Sequence, residues 1–118
     1  MDLKDTISKY LKKLGVAVNL SGYKYLREAV ELVITDDVYR LKINKKLYPK
    51  IAEKFGNTPT GVERAIRYAC EMSADRGNYN LLCDVFGSTI SADRGRATNK
   101  EFIYTLADYI KENEVCGQ

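Results

Sequence analysis

The sequence predicts an all-α domain of about six helices, and three observations predict it. Apolar residues recur at three- and four-residue spacing along most of the 118 residues. The breaks between those stretches carry helix-cap chemistry, with Gly after a helix and Ser, Thr or Asn before the next. The one connector that reads as a strand, residues 16–22, has no partner strand in view and is expected to be a buried loop.

Taken in order, Leu3, Ile7, Leu11 and Leu14 place one apolar residue per turn on a first helix, and Gly15 is suited to stop it. A second helix is expected from about Tyr23 to Ile34 with Leu26, Val30 and Val33 inward, ended by Thr35-Asp36-Asp37. Val38, Leu41 and Tyr39 suggest a further helical turn. Residues 45–76 then read as two helices around a short polar turn. Ile51, Ala52 and Phe55 form the apolar stripe of the first, and Gly56-Asn57 accept the left-handed conformation that ends a helix. Thr58 can cap the second with Pro59 preset for its first turn, but Thr60 and Glu63 form a competing T-x-x-E box. Val62, Ala65, Ile66, Ala69 and Met72 should face inward, leaving Thr60, Glu63, Arg64, Arg67 and Tyr68 outside. Asn78 can cap a short helix carrying Leu81, Leu82, Val85 and Phe86 and closed by Gly87. Residues 88–97 read as a loop with basic tips at Arg94 and Arg96. Thr98 and Glu101 form a capping box before Phe102, Ile103, Leu106 and Ile110, and the chain should fray from Glu112. The small Ala52, the turn at Gly56 and the apolar Val62 have the spacing of a DNA-binding helix-turn-helix, so the expected architecture is winged-helix-like without a substantial sheet.

Charge points the same way. Residues 42–69 hold seven Lys or Arg against two Glu, a balance of +5 in a chain whose total is +3. Such a local concentration is the electrostatic footprint of a phosphate-binding face, although a solvated helix hairpin would also carry it.

Composition excludes several other classes. An apolar content of 45% and a charged content of 30% fit one folded domain spanning 1–118. No stretch approaches the roughly 18 apolar residues that span a bilayer, and the first residues are no signal peptide, so a cytoplasmic protein without membrane contact is expected. Cys70, Cys83 and Cys116 are odd in number and widely spaced, and no C-x-x-C or histidine accompanies them. Neither a disulfide framework nor a metal site is expected, and Cys70 reads as a small buried thiol. Without histidine the chain lacks the commonest general base, and no phosphate loop, dinucleotide fingerprint or nucleophile elbow occurs. Asp36-Asp37 is explained by a turn, and Arg94-Gly95-Arg96 either grips a phosphate or is solvated surface. The reading is therefore no enzyme, no catalytic residue and no cofactor.

The runs SGYKYLREAVELV (21–33), LYPKIAEKF (47–55), GVERAIRYA (61–69), DRGN (75–78), FGSTIS (86–91) and TNKEFI (98–103) carry a resemblance. Over nearly the whole chain they closely resemble the C-terminal effector domains of the stage zero sporulation protein A family of response regulators, most of all clostridial versions. The resemblance implies a six-helix domain that reads a TGTCGAA-type 0A box through its helix-turn-helix, pairs head-to-tail on tandem boxes, and activates or represses transcription at sporulation initiation. Family members are controlled by a phosphorylated receiver domain. No receiver pattern occurs here, so an isolated effector domain is expected.

Carried over by residue, the resemblance makes Glu63, Arg64 and Arg67 base-contacting. Arg can bridge guanine O6 and N7 and Glu can accept from cytosine N4, which suits the C-G step of the box. Glu63 as a mere capping partner of Thr60 is the plainer alternative. Thr58, Thr60 and Tyr68 are candidates for the DNA backbone, as are Lys45, Lys46, Lys50, Arg94 and Arg96, each against simple solvation. Tyr68 and Gly61 stand where relatives can carry His and a basic side chain, which bears on flanking backbone contacts. The family also contacts the housekeeping sigma factor of RNA polymerase through the region matching residues 77–90. The candidates there are Asn80, Leu81, Asp84 and Phe86, with core packing the plainer reading of Phe86. The last helix around Leu106 and Ala107 is a candidate for dimer contacts. A competing reading is a helical protein-interaction module that docks on polymerase or a sigma factor without reading bases.

Overall fold

A computed structural model describes residues 2–87 and 97–115. Seven α-helices run through them: α1 (Leu3–Lys13), α2 (Ser21–Thr35), α3 (Val38–Leu41), α4 (Tyr48–Phe55), α5 (Pro59–Arg76), α6 (Tyr79–Phe86) and α7 (Asn99–Ile110). Two π-helical turns, Ile43–Leu47 and Lys111–Val115, extend α4 backwards and α7 forwards. The described residues contain no strand, so the fold is all-α.

The helix ends follow the chemistry of the residues that flank them. Gly15 and Gly56 take φ of 86° and 69°, and no other residue has positive φ among those described. Gly56 directly follows α4 and Gly15 follows Leu14, the cap of α1, and at each a side chain would clash with its own backbone. The Val16 N–H donates to the Leu11 carbonyl at 3.0 Å and the Asn57 N–H to the Ala52 carbonyl at 2.9 Å, which closes both last turns. Asn78 Oδ1 accepts from the Leu81 N–H at 3.1 Å and starts α6. At α7 the capping box forms in full. Thr98 Oγ1 accepts from the Glu101 N–H at 3.2 Å, and Glu101 Oε1 accepts from the Thr98 N–H at 2.8 Å.

The central element is α2, which packs against α1, α5 and α7. Its Leu26, Ala29, Val30 and Val33 join Ile7, Leu11, Ile51, Ile66, Ile103 and Leu106 in a single buried cluster. Burial of this kind stabilises by about 25 cal/mol per Å2 of apolar surface removed from water. Gly22 lets α2 approach α5 closely, because a Cβ there would overlap the Ala65 carbonyl oxygen and sit 2.7 Å from Ala69 Cβ.

Several expectations need correction. Helix α2 begins at Ser21, two residues earlier than Tyr23, because Leu20 already adopts the extended conformation of an N-cap. The connector before it is not fully buried: Val16 enters the core while Val18 is 60% exposed. The turn at 38–41 forms, yet Leu41 is 79% exposed and contributes nothing to the core. Residues 111–115 continue α7 as a π turn, and Tyr10 Oη donates to Glu114 Oε2 at 2.9 Å, so helical structure persists past Glu112.

Candidate nucleic-acid interface

The candidate interface is built on α4 and α5. Thr58 Oγ1 accepts from the Gly61 N–H at 3.0 Å and α5 starts at Pro59, which decides between the two capping arrangements. Thr60 and Glu63 form no box, since both lie inside the helix. Asn57 Nδ2 donates to Tyr25 Oη at 3.0 Å and anchors the turn to α2. Behind α5, Val62, Ile66, Ala69 and Cys70 are buried, while Ala65 and Met72 are half-buried. The inward stripe therefore continues onto Cys70 and Ser73, as a helix of 3.6 residues per turn requires.

The outer side of α5 is polar. Thr60, Arg64, Arg67 and Tyr68 are exposed, and Glu63 is half-buried with its side chain 33% exposed. Arg67 Nη1 lies 3.7 Å from Glu63 Oε2, one turn away, and partly orders both side chains on the helix surface. Arg64 makes no ion pair with any described residue. Lys45 and Lys46 project from the π turn and Lys50 from α4, all exposed. The base-facing and backbone-facing candidates thus lie on two consecutive helices and the turn that precedes them. Arg94 and Arg96 lie outside the described residues.

Not all of the local positive charge is available to a ligand. Lys54 Nζ donates to Glu28 Oε1 at 2.9 Å, and Lys4 lies 3.6 Å from the same oxygen. Glu28 is the one buried charged residue among those described, and this pairing raises the Lys54 pKa, mainly through the hydrogen bond. A count along the sequence includes Lys54, and only the packing of α2 against α4 reveals its partner.

A residue that sequence reasoning passed over lies beneath this face. Asn99, the first residue of α7, is 9% exposed. Its Nδ2 donates to the Glu63 carbonyl at 3.1 Å and to Tyr48 Oη at 3.2 Å, and Glu63 Oε2 lies 3.5 Å away. Burial pushes the Tyr48 phenol up to about 12 against the opposing effect of that hydrogen bond, so it stays neutral at physiological pH. Above Asn99 opens a groove of about 380 Å3, lined in part by Asn44, Glu63, Arg67 and Lys100. The sequence offered only the T-N-K-E run, which signals a cap and says nothing of a contact 36 residues away.

The remaining candidates separate into exposed and buried. Asn80 and Asp84 are exposed on α6, and Leu81 is half-buried. Phe86 is 1% exposed and stacks on Phe102 with ring centroids 4.9 Å apart, so its role is core packing and not direct contact. Leu106 and Ala107 are fully buried and cannot form a dimer surface, because the inner stripe of α7 faces α2 and α5.

Among the described residues, no cluster of His, Cys, Asp and Glu could hold a metal ion, and no helix is long and apolar enough to cross a membrane. Comparison with protein families gives a match over residues 7–110 to the family described as sporulation initiation factor Spo0A C terminal. That match covers nearly the whole chain and includes α4, α5 and the Asn99 contact. The chain belongs to the Spo0A C-terminal family, whose members are DNA-binding regulatory domains of sporulation initiation and not enzymes.

Proposed function

We propose that this chain is a cytoplasmic effector domain that reads the TGTCGAA-type 0A box, activating some sporulation promoters and repressing others. Glu63, Arg64 and Arg67 meet base edges, while Thr58, Thr60, Tyr68, Lys45, Lys46 and Lys50 meet the backbone, with Arg94 and Arg96 added on sequence grounds. One observation carries the reading: α5 is buried along one stripe and presents Glu63, Arg64 and Arg67 on the other, beside three exposed lysines. The adjacent Glu63 and Arg64 suit a C-G step, where an acceptor and a donor are wanted on adjacent bases.

Contact with the housekeeping sigma factor belongs to the same proposal, through Asn80, Leu81 and Asp84. The exposure of Asn80 and Asp84 on α6, a different helix from those carrying the exposed lysines, supports simultaneous engagement of DNA and polymerase, with Leu81 half-buried beside them. Head-to-tail pairing on tandem boxes would use side chains other than Leu106 and Ala107.

The test is binding to a duplex carrying TGTCGAA against one with the central C-G step scrambled, across a range of salt. The expected result is strong preference for the intact box, with log affinity falling by about 0.9 per phosphate neutralised for each decade of salt. Equal, weak binding to both duplexes would leave a basic surface alone and favour a protein-interaction module.

A further inference from the structure

We infer that Asn99 is a specificity-determining positioning residue, which sets the pose of Glu63 for base readout from behind the recognition helix. The inference rests on the reading of α5 as the base-reading helix. Three elements meet at this one side chain. Its backbone is fixed by the Thr98–Glu101 capping box, which makes the start of α7 a rigid platform. Its amide nitrogen reaches Tyr48 of α4 at 3.2 Å and the Glu63 carbonyl of α5 at 3.1 Å. An amide has two N–H donors, so both acceptors can be served at once.

The grip on the Glu63 backbone matters more than an ordinary tertiary hydrogen bond. A carbonyl within a helix already accepts from the residue four positions on, and Asn99 uses its second lone pair. That fixes the depth and rotation of α5 at the residue proposed to touch cytosine. The Glu63 carboxylate meanwhile lies 3.5 Å from the same Asn99 Nδ2, whose two N–H groups point to Tyr48 and to the Glu63 carbonyl. The amide therefore acts on it as a nearby positive dipole, and Arg67 Nη1 is ion-paired with it at 3.7 Å. A free glutamate on a helix surface would sample several rotamers and lose that freedom on binding. Biased by that dipole and by Arg67, it meets the base with fewer rotamers to lose, and preorganisation of this kind raises discrimination by reducing the ordering cost. A donor on α7 can thereby influence which base is accepted without touching DNA.

The test compares wild type, Asn99→Asp, Asn99→Ala, Glu63→Ala and Asn99→Asp/Glu63→Ala. Affinity is measured for the intact box and for a duplex changed at the base pair read by Glu63, below each variant's melting temperature. Asn99→Asp keeps the shape, removes both donors and places a carboxylate against Glu63. The expected result is a loss of discrimination of roughly fivefold or more in each Asn99 single variant, with the double variant losing no more than Glu63→Ala alone. A purely structural Asn99 would lower thermal stability or weaken both duplexes equally, leaving the ratio untouched, and that outcome overturns the inference. Tyr48→Phe serves as a control that breaks the other hydrogen bond, and it should keep the ratio. If wild type itself shows no preference, the reading of α5 fails and the inference with it. If wild type discriminates and Asn99→Asp does so equally, only the inference fails.

Discussion

Helices α5 and α6 both start from a polar cap, Thr58 in one and Asn78 in the other, yet their candidate contacts fared differently. On α5 the candidates are charged or polar and lie along one side, and each is exposed or half-buried. On α6 the candidates mix polar and apolar residues, and Phe86 turned out to be core. The difference is physical. A charged side chain is so costly to bury unpaired that its type predicts its exposure. An apolar side chain gains from burial against either its own fold or a partner, so its type alone does not say which. The same ambiguity placed Leu106 and Ala107 among dimer candidates when they belong inside.

Four experiments can break or sharpen this contrast. The largest effect is expected from Phe86→Ala, which should cost about 3–5 kcal/mol of stability in denaturant unfolding by opening a cavity against Phe102. Unchanged stability with lost polymerase activation would return Phe86 to the surface and erase the contrast. Arg64→Ala should leave the unfolding midpoint close to wild type and weaken box binding by about 1–3 kcal/mol, with relaxed selectivity at one base. A stability loss without a change in selectivity would make Arg64 structural. Thr58→Ala removes the cap that fixes where α5 begins and should cost about 1 kcal/mol, read from the same unfolding curves.

The smallest effect concerns alkaline pH. Burial holds the Tyr48 phenol at about 12 against an ordinary value of 10.0, and Tyr10 is likewise raised to about 12, by burial first and then by Glu114. In both cases the unfolded chain loses its proton first. Their contribution is therefore fully present below pH 10 and is lost as pH rises from 10 towards 12. Melting temperature should be insensitive to these groups near neutrality and fall above pH 10, and Tyr48→Phe should make that fall shallower. An equally steep fall in Tyr48→Phe would mean that the phenol is solvated.

Much of the fold could be read directly. The caps at Asn78 and Thr98 and the stops at Gly15 and Gly56 use chemistry confined to four or five neighbouring residues, so each was available in the sequence, while Thr58 was one of two arrangements the sequence allowed for α5. The π turn at Ile43–Leu47 was not, because its i→i+5 bonds have no distinctive residue signature and Leu47 enters the core only through the approach of neighbouring helices. Of the interface, the outward residues of α5 were legible through periodicity and charge. Asn99 was invisible because its cap-forming neighbours explained the local pattern completely.

By itself the sequence determined most helix stops and caps, the apolar stripe of the longer helices, and that α5 carries Glu63, Arg64 and Arg67 on its outer side, since all of these depend on interactions within a turn or two. Only the tertiary structure decided that Lys54 pairs with Glu28, that Phe86, Leu106 and Ala107 are core, and that Asn99 of α7 holds the Glu63 carbonyl. Those outcomes depend on which helices come together, and a hydrogen bond between residues 36 apart leaves no mark on the residues around either end.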